Sequence, residues 1–297
     1  MAIIARRYDR EKDYERVGQF LVDTYHPGKF PNWLQPRWEY MHYHPITQAQ
    51  HFPRIGLWED AGKIVGMANY EHSPGWAYFA LHPGYPRLKP QLLEYAMENL
   101  RGEDKGRQVL RLFINDFDGE MNKLAQEAGF ELDEGYRDTV SILPIPNPFP
   151  EISLPEGFKL QSLAEENDLY KADRALYRGF DHPGEPPEDG VEGRAFMQSA
   201  PNFQLDLNLV VKAPSGDFVS YAGIWVEPVH KVAYVEPVAT DPDFRRMGLG
   251  KAAVMESIRR AGQKGATVAY VGSEQPFYRN MGFQTLYHMP QWVKWFD

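Results

Sequence analysis

Val238-Ala-Thr-Asp-Pro-Asp-Phe-Arg-Arg-Met-Gly-Leu-Gly-Lys-Ala-Ala253 is the stretch on which the reading of this chain turns. An apolar strand ends, a short loop follows, and a helix begins on a glycine-rich corner. Glycine lets a backbone pass close to a ligand and take dihedrals closed to other residues. A helix N-terminus offers free N–H groups and partial positive charge, which suit a phosphate. Arg245, Arg246 and Lys251 add full charges around Gly248 and Gly250. The stretch therefore reads as a pyrophosphate cradle. It is not a Walker loop, because Ala252 and not Ser or Thr follows Gly250-Lys251. It is not a dinucleotide fingerprint, which needs three spaced glycines and an acidic residue about twenty positions on. Taken alone it is equally a basic turn, and the rest of the chain decides.

Outward from this stretch, the totals set bounds. The 297 residues are enough for two domains, and 43% apolar with 14% aromatic content promises a real core. The net charge of −9 argues against a general nucleic-acid binder, which would show a basic face. It is compatible with a cationic or amine substrate, although solubility alone explains many acidic proteins. The absence of cysteine excludes a disulfide scaffold, thiolate zinc sites and a Cys nucleophile. No apolar run reaches the ~18 residues of a membrane span, so no membrane partner is expected. Met1-Ala-Ile-Ile-Ala-Arg-Arg-Tyr8 lacks the apolar stretch of a signal peptide, and a soluble cytoplasmic protein is expected.

Periodicity and turn residues divide the chain in two. The first half reads as a strand at 3–6, helices at 10–25 and 33–43, strands at 54–59, 63–70 and 76–81, a helix at 90–100, a strand at 109–114, a helix at 119–128 and a last strand pair ending near Leu143. Leu143-Pro-Ile-Pro-Asn-Pro-Phe-Pro150 then reads as a stiff extended spacer. The second half predicts a strand at 158–161, helices at 164–177 and 190–198, strands at 208–212, 218–226 and 231–238, a helix at 249–261, a strand at 267–271, a short helix at 276–281, and strands at 283–289 and 292–296. The halves look like one unit used twice. His26-Pro-Gly28 matches His182-Pro-Gly184, Trp76-Ala-Tyr-Phe79 matches Val232-Ala-Tyr-Val235, and Ala128-Gly-Phe130 matches Met281-Gly-Phe283, in the same order. The predicted domains are 1–143 and 156–297, with a linker at 144–155.

Arg-Arg-x-Gly-x-Gly after a strand, followed by Phe277-Tyr-Arg-Asn-Met-Gly-Phe283, resembles the two signatures of the GCN5-related N-acetyltransferases (GNAT), in the right order and at the expected separation. The order of elements in each half resembles that fold too. The resemblance implies an α/β (α+β) chain of two tandem GNAT-type domains, each a mixed central sheet flanked by helices. It implies that the fourth and fifth strands splay and that acetyl-CoA fills the gap. Val238, Ala239 and Thr240 would line the pantetheine arm, Val238 and Thr240 through their main chain. Arg245, Arg246, Met247, Gly248, Leu249, Gly250 and Lys251 would hold the pyrophosphate, and Asn280 would reach the same molecule. No metal is expected. His42 and His44 lack a third ligand at recognisable spacing.

The implied reaction is acetyl transfer from the CoA sulfur to a primary amine of a small molecule. At a pKa of ~10, only about a thousandth of such an amine is neutral at pH 7, so a base is needed. Glu236, on the strand entering the cradle, is the candidate, against the plainer reading of a carboxylate paired with a basic neighbour. Glu227 and Asp181 are runners-up. Tyr278 matches the family tyrosine beside the sulfur and is the candidate acid; its plain alternative is a core tyrosine. A backbone N–H near Val238 would hold the oxyanion. With no cysteine and no Gly-x-Ser-x-Gly elbow, direct transfer is expected.

The first half departs from the pattern. It reads His82-Pro-Gly-Tyr-Pro-Arg-Leu-Lys-Pro90 at the cradle, Ala80 where Glu236 stands, and Ala125 where the tyrosine would be. It is therefore expected to be degenerate, a partner domain that walls the active site or mediates a homodimer. Acceptor specificity is expected from 182–190 and the face of the first domain. Trp33, Trp38, Tyr40, Tyr43 and Trp225 read as an aromatic pocket or as core. The tandem layout is similar to that of mycothiol synthases and some antibiotic-modifying acetyltransferases; no motif assigns either substrate. Two other functions stay open, a non-catalytic acyl-CoA sensor and a protein or peptide N-acetyltransferase.

Overall fold

The computed structural model describes residues 3–28, 33–187 and 189–296. Met1 and Ala2 of the leader reading and Glu188 of the 182–190 loop lie outside them. The first half runs β1 (Ile4–Arg7), α1 (Arg10–Asp23), α2 (Gln35–Tyr43), a 3-10 turn at Ala49–Arg54, β2 (Gly56–Asp60), β3 (Lys63–Tyr70), β4 (Trp76–Leu81), α3 (Lys89–Asn99), β5 (Gly102–Asp104), β6 (Arg107–Phe113), α4 (Gly119–Glu127) and β7 (Glu131–Pro144). The second half runs β8 (Lys159–Ser162), α5 (Leu169–Gly179), α6 (Gly190–Gln198), β9 (Leu209–Lys212), β10 (Phe218–Glu227), β11 (Val232–Thr240), α7 (Leu249–Gln263), β12 (Val268–Val271), α8 (Pro276–Arg279) and β13 (Gln284–Phe296). Among the described residues no helix is long and apolar enough to cross a membrane.

Two compact units form. Unit 1 is Met1–His42, Ile46–Val140 and Thr285–Asp297; unit 2 is Tyr43–Pro45 and Ser141–Gln284. This corrects the domain boundaries read from the sequence. Residues 285–297 were assigned to the second domain, yet β13 pairs antiparallel with β6, from Gln291↔Phe113 to Phe296↔Gln108. The end of β7 pairs with β12, from Ser141↔Val271 to Pro144↔Val268. Both strands run unbroken where strand pairs were expected. Pro290 lacks an N–H and so sits one residue before the ladder with β6 begins. The expected spacer is also not free. Ile145, Phe149, Ile152 and Leu154, interleaved with its prolines, pack against the core of unit 2.

In unit 1 the strands order β1-β2-β3-β4-β6-β13, with β5 on β6. The β2–β3 hairpin turns at Ala61 and Gly62, both with positive φ, as the Asp-Ala-Gly composition predicts. β3 is buried on both faces from Ile64 to Tyr70, which requires helices on both sides of the sheet. β4 and β6 pair in parallel only at Trp76↔Arg111 and Ala77↔Leu112 and then part. Where they part, Phe113 stacks on Tyr78 at 4.8 Å and on Trp76 at 5.7 Å, with Tyr136 edge-on.

In unit 2 the order is β7-β12-β11-β10-β9-β8. One face carries α7, whose Leu249, Ala253, Val254, Ile258 and Ala261 meet Val211, Val219, Ile224, Val235 and Phe283. Small residues let α7 lie close: Ser257 Oγ donates to Ala222 O at 3.2 Å and to Ala253 O at 2.9 Å. The other face carries α5, whose Ala172, Ala175 and Leu176 meet Val210, Phe218, Tyr221 and Ala239. Burying each leucine, isoleucine or valine of these clusters contributes about 1.5–3 kcal/mol before entropy is counted.

The exchanged strand has a measurable consequence. Beyond its ladder, β13 gives unit 1 the Trp292 Nε1 bond to Asn122 Oδ1 at 2.8 Å and the Lys294 Nζ bond to Ala128 O at 2.6 Å. A chain shortened at Gln284 is expected to lose hydrogen-exchange protection along β6 and α4 while β10 and β11 of unit 2 keep theirs. Equal loss in both units would refute the assignment.

Candidate active site

β11 and β12 run parallel for three pairs, Val232↔Val268 to Tyr234↔Tyr270. β12 then ends at Val271, whereas β11 continues to Thr240 with only β10 beside it. The two strands therefore part beyond Tyr234, as the splayed-strand expectation requires. Along this free length Glu236, Val238 and Thr240 are half-buried and alternate with buried Val235, Pro237 and Ala239. The period of two places Glu236, Val238 and Thr240 on one face.

A bulge sets Glu236. The ladder passes from Ala222↔Val238 to Ile224↔Val235, so Gly223 alone faces Glu236 and Pro237. Only glycine fits: a Cβ there would lie 2.7 Å from Glu236 O and 2.8 Å from Asn208 Oδ1. Pro237 supplies no N–H, which suits a break in the ladder. Trp225 Nε1 donates to Glu236 O at 3.0 Å and holds the bulged backbone in place. Gly223 and Trp225's role at Glu236 are absent from the sequence reading, although an isolated glycine inside an apolar strand is itself a bulge signal.

Past Thr240 the chain turns on Asp241, whose carboxylate accepts from Asp243 N at 3.1 Å. Arg178 of α5 grips Asp241 with Nε at 2.5 Å and Nη2 at 3.0 Å, and reaches Asp243 at 2.7 Å. Gly179 closes α5 against β11, where a Cβ would lie 2.6 Å from that of Ala239. The Asp-Pro-Asp turn was legible; its partner Arg178, sixty-three residues earlier in the chain, was not. Burial pushes the Asp241 carboxyl up, but the Arg178 guanidinium and the Asp243 N–H outweigh it and hold it below its ordinary 3.8.

The cradle follows. Gly248 takes φ 83° as the residue before α7, and no side chain caps the helix. A Cβ at Gly250 would lie 2.8 Å from Thr240 Oγ1 and 3.4 Å from the Phe277 ring, so backbone alone fits there. Arg246, Met247 and Lys251 are exposed around this corner, and Arg246 has φ 66°. Leu249 is buried in the core and offers only its main chain. Arg245, expected on a pyrophosphate, is engaged otherwise. Its Nε donates to Thr240 O at 3.1 Å, its Nη2 donates to Gly179 O at 2.8 Å, and it pairs with Asp181 at 2.9 Å. The geometry makes Arg245 a brace between α5 and the cradle loop. The uncapped start of α7 at Gly248, with Arg246 and Lys251 exposed beside it, suits an anion such as a phosphate.

Tyr278 lies in α8, edge-on to Phe277 at 4.9 Å and to Phe283 at 5.8 Å. Burial first, and then the negative charge of Glu236, push its phenol above the ordinary 10.0. Asn280 ends α8 and is exposed. The runners-up have other work. Glu227 is buried and accepts from Val229 N at 2.5 Å and His230 N at 3.0 Å, which caps the β10–β11 turn. Asp181, at φ 62°, pairs with Arg245.

The aromatic residues do not form one pocket. Trp33, Trp38 and Tyr40 are buried in the core of unit 1. In unit 2, Tyr43 lies against Phe196 at 5.3 Å and Trp225 against Phe203 at 5.5 Å. His42 is buried with both nitrogens used: Nδ1 donates to Trp38 O at 2.9 Å and Nε2 accepts from Tyr8 at 2.9 Å. Burial holds it neutral, at about 3. In unit 1, at the position matching the cradle, a 3-10 turn leads into α3 and Pro90 stands in the helix's first turn. Lys89 there pairs with Asp118 at 2.7 Å and Glu120 at 3.0 Å. Among the described residues no three His, Cys, Asp or Glu side chains converge as metal ligands.

Residues 168–283, which hold the cradle, Glu236 and Tyr278, match the acetyltransferase (GNAT) family. Unit 2 thus carries a GNAT acetyltransferase domain, of a family that uses acetyl-CoA, and the chain as a whole has the fold of a tandem GNAT protein. The chain is similar to a tandem GNAT protein from the clavulanic acid biosynthesis pathway, with a TM-score of 0.65 at 12% identity over 99% of this chain and 98% of that one. In sequence it is 28% identical to a glucosamine 6-phosphate N-acetyltransferase of Trypanosoma brucei brucei, over 33% of this chain and 73% of that protein. It is likewise 28% identical to a mycothiol acetyltransferase of Saccharomonospora viridis, over 46% of this chain and 49% of that protein.

The Asp241 clamp can be tested. Its carboxylate is 1% exposed, so Asp241→Asn is expected to cost about 2–4 kcal/mol at pH 7 by urea unfolding, allowing for the partly exposed Arg178. A carboxyl lowered on folding stabilises above its ordinary pKa and loses that contribution as pH falls through its folded value. The gap between wild type and variant should therefore close below about pH 3.8. A gap unchanged by acid would rule out the charge as its source.

Proposed function

We propose that this chain is an acetyl-CoA-dependent N-acetyltransferase that passes the acetyl group directly to a primary amine of a small molecule. The observation that carries this is the acetyltransferase (GNAT) match over residues 168–283, which hold the open edge of β11, the uncapped start of α7 and Tyr278. A binding module would need neither Glu236 as a base nor Tyr278 as an acid.

The free edge of β11 from Val235 to Thr240 would take the pantetheine amides as a strand takes a partner. The N–H groups opening α7 at Gly248–Lys251, with Arg246 and Lys251, would hold the phosphates, and Asn280 lies at the exposed end of α8. When bound, acetyl-CoA supplies an activated thioester. Glu236 takes the proton from the attacking ammonium, directly or through water. Tyr278, held protonated throughout the physiological range, donates to the departing sulfur. The amino-sugar name of one relative places glucosamine 6-phosphate first in a panel of small amines. Unit 1 has Ala80 in place of a base, Ala125 in place of the tyrosine, and Lys89 bound by two carboxylates, which supports a non-catalytic partner role.

The test is thiol release with acetyl-CoA and the amine panel. Glu236→Gln is expected to lower kcat/KM by about 10²-fold or more and to remove the acidic limb of its pH profile. Tyr278→Phe should lower kcat by about 10-fold or more with little change in acetyl-CoA binding. Because burial, and then the negative charge of Glu236, raise the Tyr278 pKa, no alkaline limb from Tyr278 should appear below pH 10 in wild type. Acetyl-CoA binding without release for any amine would defeat the enzyme reading and leave the sensor. Full turnover by Tyr278→Phe would defeat only the acid assignment.

A further inference from the structure

At the end of unit 1 where α3 stops and β4 starts, a cavity of about 380 Å³ is lined by Gln48, His51, Arg54, Ser73, Arg101 and Glu103, among others. None of these residues belongs to the GNAT match at 168–283. Their charges are unbalanced. Five half-buried arginines elsewhere find carboxylates: Arg6 with Asp13, Arg37 with Glu71, Arg111 with Asp104, Arg178 with Asp241, Arg194 with Asp173. Arg54 and Arg101 are also half-buried, and among the described residues neither forms an ion pair. Burial pushes the Arg54 guanidinium below its ordinary value. A guanidinium removed from water without a counter-anion is costly, unless an anion completes the site.

Helix capping explains part of this arrangement. Arg54 Nε donates to Asn99 O at 2.5 Å and Nη2 to Arg101 O at 2.6 Å. Arg101 Nε donates to Met97 O, and its guanidinium lies 3.7 Å from the centre of the Phe296 ring. These carbonyls close the C-terminus of α3, where cations are favoured. Capping engages one edge of each fork. Nη1 of Arg54 and both Nη atoms of Arg101 hold no carbonyl or carboxylate among the described residues. Ser73, Gln48 and His51 add further hydrogen-bonding groups, and Glu103, which is exposed, is the single carboxylate in the lining. Two fixed positive forks against one exposed carboxylate select a compact anion, and arginine forks suit a phosphate. The volume exceeds what one phosphate fills and lies at the low end of small-molecule sites, which leaves room for a short organic group.

We propose that this cavity binds a small phosphomonoester, with Arg54 and Arg101 on the phosphate and His51, Ser73 and Gln48 around it. The site shares no residue with the cradle and does not depend on the acetyl-transfer reading.

Calorimetry on the full chain tests it, with glycerol 3-phosphate, inorganic phosphate and glycerol titrated at constant ionic strength in chloride. Glycerol 3-phosphate is expected to bind once per chain, inorganic phosphate more weakly at the same site, and glycerol not at all. Arg101→Gln and His51→Gln should each weaken binding by about tenfold. Lys251→Gln, in the cradle, should leave it unchanged. The His51 side chain forms no ion pair among the described residues, so that variant reports on the site even where Arg101→Gln fails to fold. Absence of binding above the chloride background would overturn the proposal. So would binding that survives both cavity variants and is lost in Lys251→Gln. Equal affinity for inorganic phosphate would overturn the ester and assign the free anion.

Discussion

From Val235 to Thr240, Pro237 apart, β11 presents backbone N–H and C=O groups along an edge that no strand among the described residues covers, while β10 pairs the other edge. A buried backbone group without a partner costs about 1–3 kcal/mol, so such an edge persists only where water or a ligand reaches it. The neighbouring features depend on that open edge. The bulge at Gly223 turns Glu236 onto it. Asp241 and Arg178 fix its far end and aim α7 across it. Tyr278 lies in the one-turn helix that follows the short β12. The opening exists because β12 has four residues and β11 has nine.

Unit 1 shows what the same topology becomes when the edge is not needed. β4 and β6 also part after two pairs, but Trp76, Tyr78 and Phe113 stack where they separate. Tyr78 is pinned further by its bond to Asp138 at 2.9 Å, and Arg37 lies 4.9 Å from its ring. Aromatic rings fill the space with apolar area and hydrogen-bonded ends. Gap and plug are thus alternative ways of ending a parallel pair, chosen by side chains and not by the path of the chain.

Much of this was legible in the sequence. The tandem order, the hairpin at Ala61-Gly62 and the glycine corner at Gly248 and Gly250 depend on local turn chemistry or short-range periodicity, and a single sequence carries both; the parting of the strands came only with the family resemblance. Three features were not legible, each because it depends on contacts distant in sequence. The Arg178–Asp241 pair joins a helix to a loop far along the chain. Arg245 looked like a free cation because the Gly179 carbonyl and Asp181 that engage it come from another element. The destination of β13 is set by which edge strand lacks a neighbour, and alternation of side chains reads the same beside either sheet. The spacer at 144–155 was misjudged for a related reason: proline fixes an extended path, but only the partner surface decides whether Phe149 and Ile152 are buried.

The exchange of strands also bears on the order in which the molecule can assemble on the ribosome. Chains usually complete their domains from the N-terminus onward as residues emerge. Here β6 must wait for residues 291–296, which are made after the whole of unit 2. Unit 2 has its own edge strand, Ser141–Pro144, in hand long before β12 needs it. Unit 2 is therefore the first that can close, and the first-made half remains with an open sheet edge until residues 291–296 have been made. During that interval the edge of β6 is a site for chaperone capture or mispairing, which makes the thirteen-residue β13 the step that commits the chain to its native form.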